Sequence, residues 1–258
     1  MNRTTFAATA LTVAILLSPA TLQAAEKLTG FQKKVAAVMK MDHRSAKNRQ
    51  RDRNRDPVKA LNFCRLQDTM TVIDWVPGGG WYTEILGPLL KDKGVLYVST
   101  LEKQLKRLDP LLKKAPMSKV LKLPVDVIRH PKSHDILAKN LDFDVTGADM
   151  VLSFREVHNL EPETVPDFNR AVFKALKPGG YYCVIDHTRR HMEPSTNENR
   201  RRYDPVKLIK EVQAAGLKFI DYSEMFWRPD DELRYEVGRR TVRGNTDRFT
   251  VLFQKPNR

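Results

Sequence analysis

The sequence predicts an α/β domain with a doubly wound, mostly parallel seven-stranded sheet and one antiparallel edge strand. Short apolar runs alternate with segments whose apolar residues recur at helical spacing, as in strands joined by helical crossovers. The runs are continuous, which is typical of parallel strands covered on both faces. The last two runs have no helix between them, so that edge should contain the antiparallel strand. These observations indicate a Rossmann-like topology.

Each element follows from a local pattern. Asp56 and Asp204 both precede a proline, the order of an N-cap followed by proline at the first helical position. Gly216 ends the last helix, and residues 177–180 predict a tight turn into the fifth strand. The expected strands are 71–75, 95–99, 120–123, 150–154, 181–186, 217–226 and 249–253. The expected helices are 31–41, 57–65, 81–90, 101–112, 165–176 and 205–215.

Residues 1–24 have the three-part order of a cleavable secretory signal peptide. A short positive start precedes an apolar run over residues 6–17, and small residues follow up to Ala24. The run is shorter than the roughly 20 residues that cross a bilayer, so a membrane anchor is the less favoured alternative. We therefore expect a signal peptide (1–24), a helical and basic segment flanking the site (25–66) and the α/β domain (67–258). The mature protein is expected in the periplasm.

The chain of 258 residues carries a net charge of +14, and the basic residues cluster at 44–55, 189–202 and 239–243. Such an excess favours anionic partners. We expect a small-molecule or lipid-linked anionic substrate, with peripheral contact to an anionic membrane as a further partner. For most of these residues a solvated surface is the better explanation. Nucleic acid is not expected, because no RNA-binding motif is present and aromatic residues are not interleaved with the basic runs.

The only two cysteines are Cys64, on a helix before the sheet, and Cys183, inside a predicted central strand. We interpret both as free, small buried hydrophobic residues. A disulfide is the alternative, since an oxidising compartment would permit one.

The turn after the first strand is the first candidate site. In doubly wound sheets, ligands bind outside the carboxyl ends of the strands, where the strand order reverses. Residues 77–80 (Pro-Gly-Gly-Gly) lie there, and their glycines would let a ligand approach the backbone closely. The helix beginning at Trp81 would aim its free N–H groups at that ligand. Asp74 ends the first strand and would orient the ligand or cap the turn.

Polar side chains after the fourth and fifth strands form the second candidate site. The residues are Arg155, Glu156, His158, Asn159, Asp186 and His187. Two histidines near one pocket fit a general base for a hydroxyl or amine nucleophile, since imidazole titrates near neutral pH. The alternative is a metal site with Asp186 or Glu156, although the spacing matches no standard zinc pattern.

These motifs carry a resemblance to a known family. Residues 72–86 (Val-Ile-Asp-Trp-Val-Pro-Gly-Gly-Gly-Trp-Tyr-Thr-Glu-Ile-Leu) resemble the glycine-rich motif of class I S-adenosylmethionine-dependent methyltransferases. More narrowly, they resemble a group of exported bacterial predicted methyltransferases. Residues 149–159 (Asp-Met-Val-Leu-Ser-Phe-Arg-Glu-Val-His-Asn) resemble the fourth-strand motif of that group, and residues 176–180 with 184–187 resemble the fifth. The resemblance spans about residues 44–255.

The resemblance implies S-adenosylmethionine as cofactor and assigns roles to the candidate residues. The cofactor-binding residues would be Asp74, Pro77, Gly78, Gly79, Gly80, Thr100 and Glu102. The catalytic residues would be Arg155, Glu156, His158, Asn159, Asp186 and His187. The substrate-binding residues would be Arg51, Arg53, Arg55, Trp81 and Tyr82. The arginines fit either a bidentate clamp on a carboxylate or phosphate or a solvated arm attracted to anionic lipid.

Two function hypotheses follow. The first is a periplasmic S-adenosylmethionine-dependent methyltransferase acting on a small or lipid-linked anionic acceptor. The second is a non-catalytic methyltransferase-like binding protein that has lost tight S-adenosylmethionine binding. The polar cluster supports the first. Val76 and Thr100 support the second, because most class I enzymes carry a glycine and an acid at these positions.

Overall fold

The computed structural model describes residues 28–130, 132–133 and 135–257. The expected signal peptide and its cleavage site lie outside these residues. In the described part of the chain, no helix has both the length and the apolarity needed to cross a membrane.

The N-terminal segment forms three short helices: α1 (Gly30–Met39), α2 (Ala46–Arg49) and α3 (Pro57–Phe63). Thr29 begins α1 with a capping box, and the Asp56 side chain accepts the Lys59 N–H at the start of α3. The buried guanidinium of Arg44, just before α2, binds both carboxylate oxygens of Asp52, between α2 and α3, at 2.8 and 2.9 Å. This ion pair fixes residues 44–55, called here the cover segment.

The remaining elements alternate along the chain. They are β1 (Thr71–Trp75), α4 (Thr83–Leu90), β2 (Val95–Thr100), α5 (Glu102–Arg107), α6 (Asp109–Leu112), β3 (Val120–Pro124), β4 (Ile128–Arg129), β5 (Ile136–Leu137), β6 (Ala148–Phe154), α7 (Thr164–Ala175), β7 (Leu176–His187), α8 (Pro205–Ala214), β8 (Lys218–Ser223) and β9 (Arg248–Gln254). Seven of the strands form one sheet in the order β3-β2-β1-β6-β7-β9-β8. The antiparallel member is β9, at the predicted edge region between β7 and β8. The fold class predicted from the sequence is confirmed.

The strand order reverses between β1 and β6, which pair in parallel. The crossovers therefore leave on opposite sides of the sheet, and a crevice opens at the carboxyl ends of these two strands. Asp74 lies near the end of β1, and Arg155 directly follows β6. The two candidate sites of the sequence thus lie beside each other.

Both faces of the sheet are covered. One core contains Trp75 and Val151 with Phe168 of α7. The other contains Leu152 and Cys183 with Ile85 of α4, and helices α1 and α3 add their apolar residues to it. The N-terminal segment is thus packed into the core on the face that α4 also covers.

Three local expectations need correction. The helix expected over 101–112 is divided into α5 and α6 at Leu108, two residues before Pro110, which has no N–H to continue the helix. The turn expected at 177–180 lies inside β7, where the pairing with β6 shifts register. The helix expected from Trp81 begins at Thr83. The small β4–β5 ladder was not predicted.

The expectation of free cysteines is wrong. Cys64 and Cys183 form a disulfide with a Cα–Cα distance of 5.6 Å. Both residues are fully buried in the same core, because α3 ends over the face of β7 from which Cys183 projects. The bond ties the end of the N-terminal segment to a central strand.

Candidate functional site

A cavity of about 380 Å³, called here the glycine-turn cavity, lies at the carboxyl ends of β1 and β6. It is lined by Lys47, Asn48, Arg51, Arg55, Asp74, Trp75, Val76, Pro77, Gly78, Gly79, Trp81, Tyr82, Phe154, Arg155 and Glu156. A Cβ built on Gly78 or Gly79 would meet no atom within 4 Å. These two glycines therefore present bare backbone to open space, as the approach of a ligand requires.

Gly80, which was expected to bind the cofactor, has different surroundings from Gly78 and Gly79. Its φ is +78°, and a Cβ there would collide with the side chain of Leu111. Gly80 does not line the glycine-turn cavity. This glycine is needed for backbone conformation and for packing against α6, rather than for contact with a cofactor.

Val76 has a backbone conformation that favours glycine. Its φ is +48°, in the left-handed region that a β-branched residue rarely adopts. Its N–H donates to the Ser99 carbonyl at 2.7 Å, and the side chain is buried. The turn therefore retains its path, at a cost of roughly 1–3 kcal/mol in backbone strain.

Asp74 is buried beneath this turn and lines the cavity. Its carboxylate accepts a hydrogen bond from Thr83 Oγ1 at 3.1 Å. Burial and, to a smaller extent, the nearby Glu156 carboxylate raise the pKa of Asp74 to about 7, although the hydrogen bond from Thr83 opposes the shift. The carboxyl group thus changes charge near neutral pH.

Thr100 and Glu102, which were expected to bind the cofactor, do not line the glycine-turn cavity. The Thr100 hydroxyl donates to Gln104 Oε1 at 2.6 Å, and the residue is buried. Glu102 is exposed on α5, 3.7 Å from the ammonium of Lys106. Neither residue lines the glycine-turn cavity, so the expectation that they bind cofactor is not supported.

His158 and Asp186 form a hydrogen-bonded pair. The His158 Nδ1 lies 2.5 Å from Asp186 Oδ1, and the backbone N–H of His158 donates to Asp186 Oδ2 at 3.1 Å. The backbone N–H of His187 donates to the same carboxylate at 2.7 Å. Asp186 is fully buried, so its charge holds the proton of His158 on Nδ1. The other nitrogen, Nε2, is then a proton acceptor.

His187 lies beside this pair, with a ring centroid 5.8 Å from that of His158. Its Nδ1 is 2.8 Å from Thr246 Oγ1. Burial lowers the pKa of His187 well below its usual value, and the neighbouring His158 and Arg155 lower it further. His187 is therefore neutral near pH 7.

A small cavity of about 210 Å³, called here the histidine cavity, joins these groups. It is lined by Arg129, Arg155, Glu156, His158, Asn159, His187, Arg201 and Val237. Glu156 accepts a hydrogen bond from Asn159 Nδ2 at 2.9 Å and lies 3.4 Å from Arg129. Burial raises the pKa of Glu156, which Arg129 partly opposes. All six predicted catalytic residues thus meet at the carboxyl ends of β6 and β7.

The largest cavity, about 960 Å³ and called here the basic cavity, opens next to both others. It is lined by Lys47, Gln50, Arg51, Asn54, Arg55, Arg155, His187, Arg201, Glu236, Val237, Gly238, Arg243, Gly244, Thr246 and Arg248. The cover segment forms one wall. The loop over residues 227–247 forms another, fixed by a fully buried bidentate ion pair between Arg202 and Asp231 at 2.9 Å. Arg248 Nη2 joins the walls by donating to the Asn54 carbonyl at 2.5 Å.

The cover-segment arginines divide into two groups. Arg51 and Arg55 line both the glycine-turn and the basic cavity. Arg53 is exposed and lines neither, so its expected role in substrate binding is not supported. Sequence reasoning named the basic clusters but missed Arg201, Arg243 and Arg248 as cavity residues. The only signal for them was charge, which surface arginines share.

Trp81 and Tyr82 are buried in the wall of the glycine-turn cavity. Trp81 Nε1 donates to the Asn48 carbonyl at 2.8 Å. The Arg55 guanidinium lies over the Trp81 ring, 4.6 Å from its centroid. These aromatic residues hold the cover segment in place and orient Arg55.

Within the described residues, no group of three or more His, Cys, Asp or Glu side chains is placed so that it could hold a metal ion.

No family model and no curated protein matches the chain. Solved structures do match. A SAM-dependent methyltransferase from Aquifex aeolicus is 20% identical with a TM-score of 0.55, covering 77% of this chain and 89% of its own. The [4+2]-cyclase SpnF is 14% identical with a TM-score of 0.56, covering 84% and 85%. The chain therefore has the fold of class I S-adenosylmethionine-dependent methyltransferases, a fold that is also found in a cyclase.

Proposed function

We propose that this protein is a periplasmic methyltransferase that transfers a methyl group from S-adenosylmethionine to a nucleophile on a small or lipid-linked anionic acceptor. One observation carries the proposal. The histidine cavity shares Arg155 and Glu156 with the glycine-turn cavity, and it shares Arg155, His187 and Arg201 with the basic cavity. The His158–Asp186 pair thus lies between a pocket with bare glycine backbone and a pocket for anions.

The glycine-turn cavity fits the amino-acid end of the cofactor. Open space beside Gly78 and Gly79 admits the ligand. Asp74 and Glu156 would hold its ammonium group, and Arg51 and Arg55 its carboxylate. When bound, the cofactor supplies a methyl group activated by a positively charged sulfur. Because Thr100 and Glu102 face away, ribose binding would depend on backbone groups.

His158 would act as the general base. With Nδ1 hydrogen-bonded to Asp186, Nε2 can accept the proton of an acceptor hydroxyl or amine as the nucleophile attacks the methyl carbon. Asp186 then stabilises the imidazolium that forms. His187 would donate or accept a hydrogen bond in its neutral form, because its pKa is lowered by burial.

The Cys64–Cys183 disulfide supports the exported location. Disulfides persist in oxidising compartments and are rare in the cytosol. The three-part N-terminal pattern of the sequence supports the same address.

A second candidate is a non-catalytic binding protein with a methyltransferase fold. The engagement of Thr100 with Gln104 and of Glu102 with Lys106 supports it, since neither residue lines the glycine-turn cavity. The cationic side chains that line the basic cavity also favour binding of an anion over binding of a cofactor with a positively charged sulfur.

Calorimetric titration of the mature protein with S-adenosylmethionine and S-adenosylhomocysteine separates the two candidates. The methyltransferase proposal expects both to bind with micromolar affinity, and a variant that fills the cavity at Gly79 should not bind. Absence of heat with both compounds, in protein shown to be folded by circular dichroism, would support the binding protein instead.

A further inference from the structure

The charge of the basic cavity is far from balanced. Among the described residues, its lining contains seven cationic side chains and a single carboxylate. That carboxylate, Glu236, is already paired with Arg201. The remaining cations are Lys47, Arg51, Arg55, Arg155, Arg243 and Arg248.

Within the described residues, all five arginines of this set lack an anionic partner, and Arg248 donates instead to the Asn54 carbonyl. No carboxylate there lies at ion-pair distance from the other four, Arg51, Arg55, Arg155 and Arg243. Arg55 is only 4% exposed, yet its guanidinium contacts aromatic rings instead of an acid. Burying the unpaired charge of Arg55 is costly, so the fold is expected to bind an anion beside it, where the exposed Arg51 and Arg243 also line the cavity.

The positively charged arginines of this cluster repel one another, and this repulsion lowers the pKa of their guanidinium groups. Burial lowers the pKa of Arg55, and the nearby Arg155 and Arg51 lower it further. Burial and Arg243 lower the pKa of Arg51 in the same way. The cover segment and the 227–247 loop therefore bring like charges together from distant parts of the chain. A bound polyanion would relieve this repulsion.

The number and type of the cations indicate the ligand. A single carboxylate would balance one of four unpaired guanidinium groups. Guanidinium groups bind phosphate oxygens bidentately, and adjacent phosphates present enough oxygens and charge for several of them. The cavity of about 960 Å³ also has room for more than one phosphate group.

We propose that the basic cavity binds a molecule carrying a diphosphate, or two phosphate groups close together, through Arg51, Arg55, Arg155 and Arg243. That this molecule is the methyl acceptor rests on the proposed function, whereas its binding does not. The diphosphate could belong to a soluble nucleotide-like compound or to a lipid-linked one.

The test is calorimetry on the mature protein without S-adenosylmethionine, with inorganic pyrophosphate as the probe and orthophosphate and citrate as comparisons. Arg51→Gln and Arg243→Gln each remove one guanidinium group that lines the cavity. Both arginines are exposed residues, so the fold should persist. The matched controls are Arg53→Gln and Arg240→Gln, which change exposed arginines of the same two segments that do not line the cavity.

We expect pyrophosphate to bind at least about tenfold more tightly than orthophosphate or citrate. Each cavity variant should weaken it by about tenfold or more, because a charge-assisted hydrogen bond contributes roughly 1.5–3 kcal/mol. The control variants should stay within about twofold of the wild type. Equal losses in all four variants, or no preference for pyrophosphate, would overturn the proposal.

Two further titrations distinguish a lipid-linked diphosphate from a soluble one. Tighter binding of a prenyl diphosphate in detergent than of pyrophosphate would identify a lipid-linked ligand, and tighter binding of a nucleoside diphosphate a soluble one. Pyrophosphate binding without S-adenosylmethionine binding would retain this inference while refuting methyl transfer. The reverse result would refute only this inference.

Discussion

The carboxylate of Asp186 accepts three hydrogen bonds, two from His158 and one from the backbone N–H of His187. The shortest joins Oδ1 to Nδ1 of His158 at 2.5 Å. Asp186 is the penultimate residue of the long strand β7, whereas His158 lies in the turn after β6. The pairing of β6 with β7 therefore sets the position of His158 relative to Asp186.

The first prediction concerns this pair. His158→Gln and Asp186→Asn should each lower kcat about 10²–10⁴-fold with little change in KM, because each removes proton transfer from the nucleophile. His191→Gln is the matched control, since His191 also pairs with a carboxylate, Asp204, but has a half-exposed side chain. Steady-state kinetics with an identified acceptor provides the measurement. A loss in His191→Gln as large as in His158→Gln would contradict the assignment.

The second prediction separates the glycines of the turn. Gly79→Val should leave the melting temperature nearly unchanged and abolish S-adenosylhomocysteine binding, because its side chain would enter the open cavity. Gly80→Val should instead destabilise the fold, since its backbone is left-handed and Leu111 occupies the space. Thermal unfolding and calorimetry on both variants provide the check. Normal binding by a folded Gly79→Val protein would show that this turn does not hold the ligand.

The third prediction uses the pKa of Asp74, which burial raises from 3.8 to about 7. Between these values the folded state binds more protons than the unfolded state, so stability falls as pH rises through this range and is level above it. The penalty at high pH is up to roughly 4 kcal/mol. Asp74→Asn should therefore have a higher melting temperature than the wild type at about pH 8, and the difference should shrink towards about pH 4.

The same titration should affect cofactor binding. An ionised Asp74 can hold an ammonium group, so the affinity for S-adenosylhomocysteine should rise from about pH 6 to about pH 8 in the wild type. Asp74→Asn should bind weakly with no such rise. A pH-independent affinity in the wild type would remove Asp74 from the binding site.

The fourth prediction concerns the disulfide. Thiol titration of denatured, unreduced protein should find no free thiol, because Cys64 and Cys183 are bonded. The double variant Cys64→Ala/Cys183→Ala should lose about 2–5 kcal/mol of unfolding free energy. Detection of two thiols per chain in freshly purified protein would contradict the bond.

The sheet could be predicted because each strand is a continuous apolar run bounded by turn residues, a pattern that depends on local sequence. The glycine turn and the polar groups after β6 and β7 could be placed at one edge for the same reason, since carboxyl ends of parallel strands meet there. Asp74 and His158 could be placed at this edge in this way.

Contacts between distant segments could not be predicted. Neither Cys64 nor Cys183 carries a local sign of its partner, because the pairing depends on how α3 packs against the sheet. Arg53 and Arg55 are alike in sequence, yet only Arg55 turns inward over Trp81. The role of Gly80 likewise depends on Leu111, more than 30 residues away.

The bond between Cys64 and Cys183 also has a consequence for the order of events during synthesis. Cys64 is made 119 residues before its partner, an interval of roughly 6–24 s at common elongation rates. The helices of the N-terminal segment must wait as long for the sheet face on which they pack. Because the chain has only two cysteines, only one intramolecular pairing exists and no reshuffling is needed. A single oxidation step after β7 has been made therefore completes the disulfide bonding of the chain.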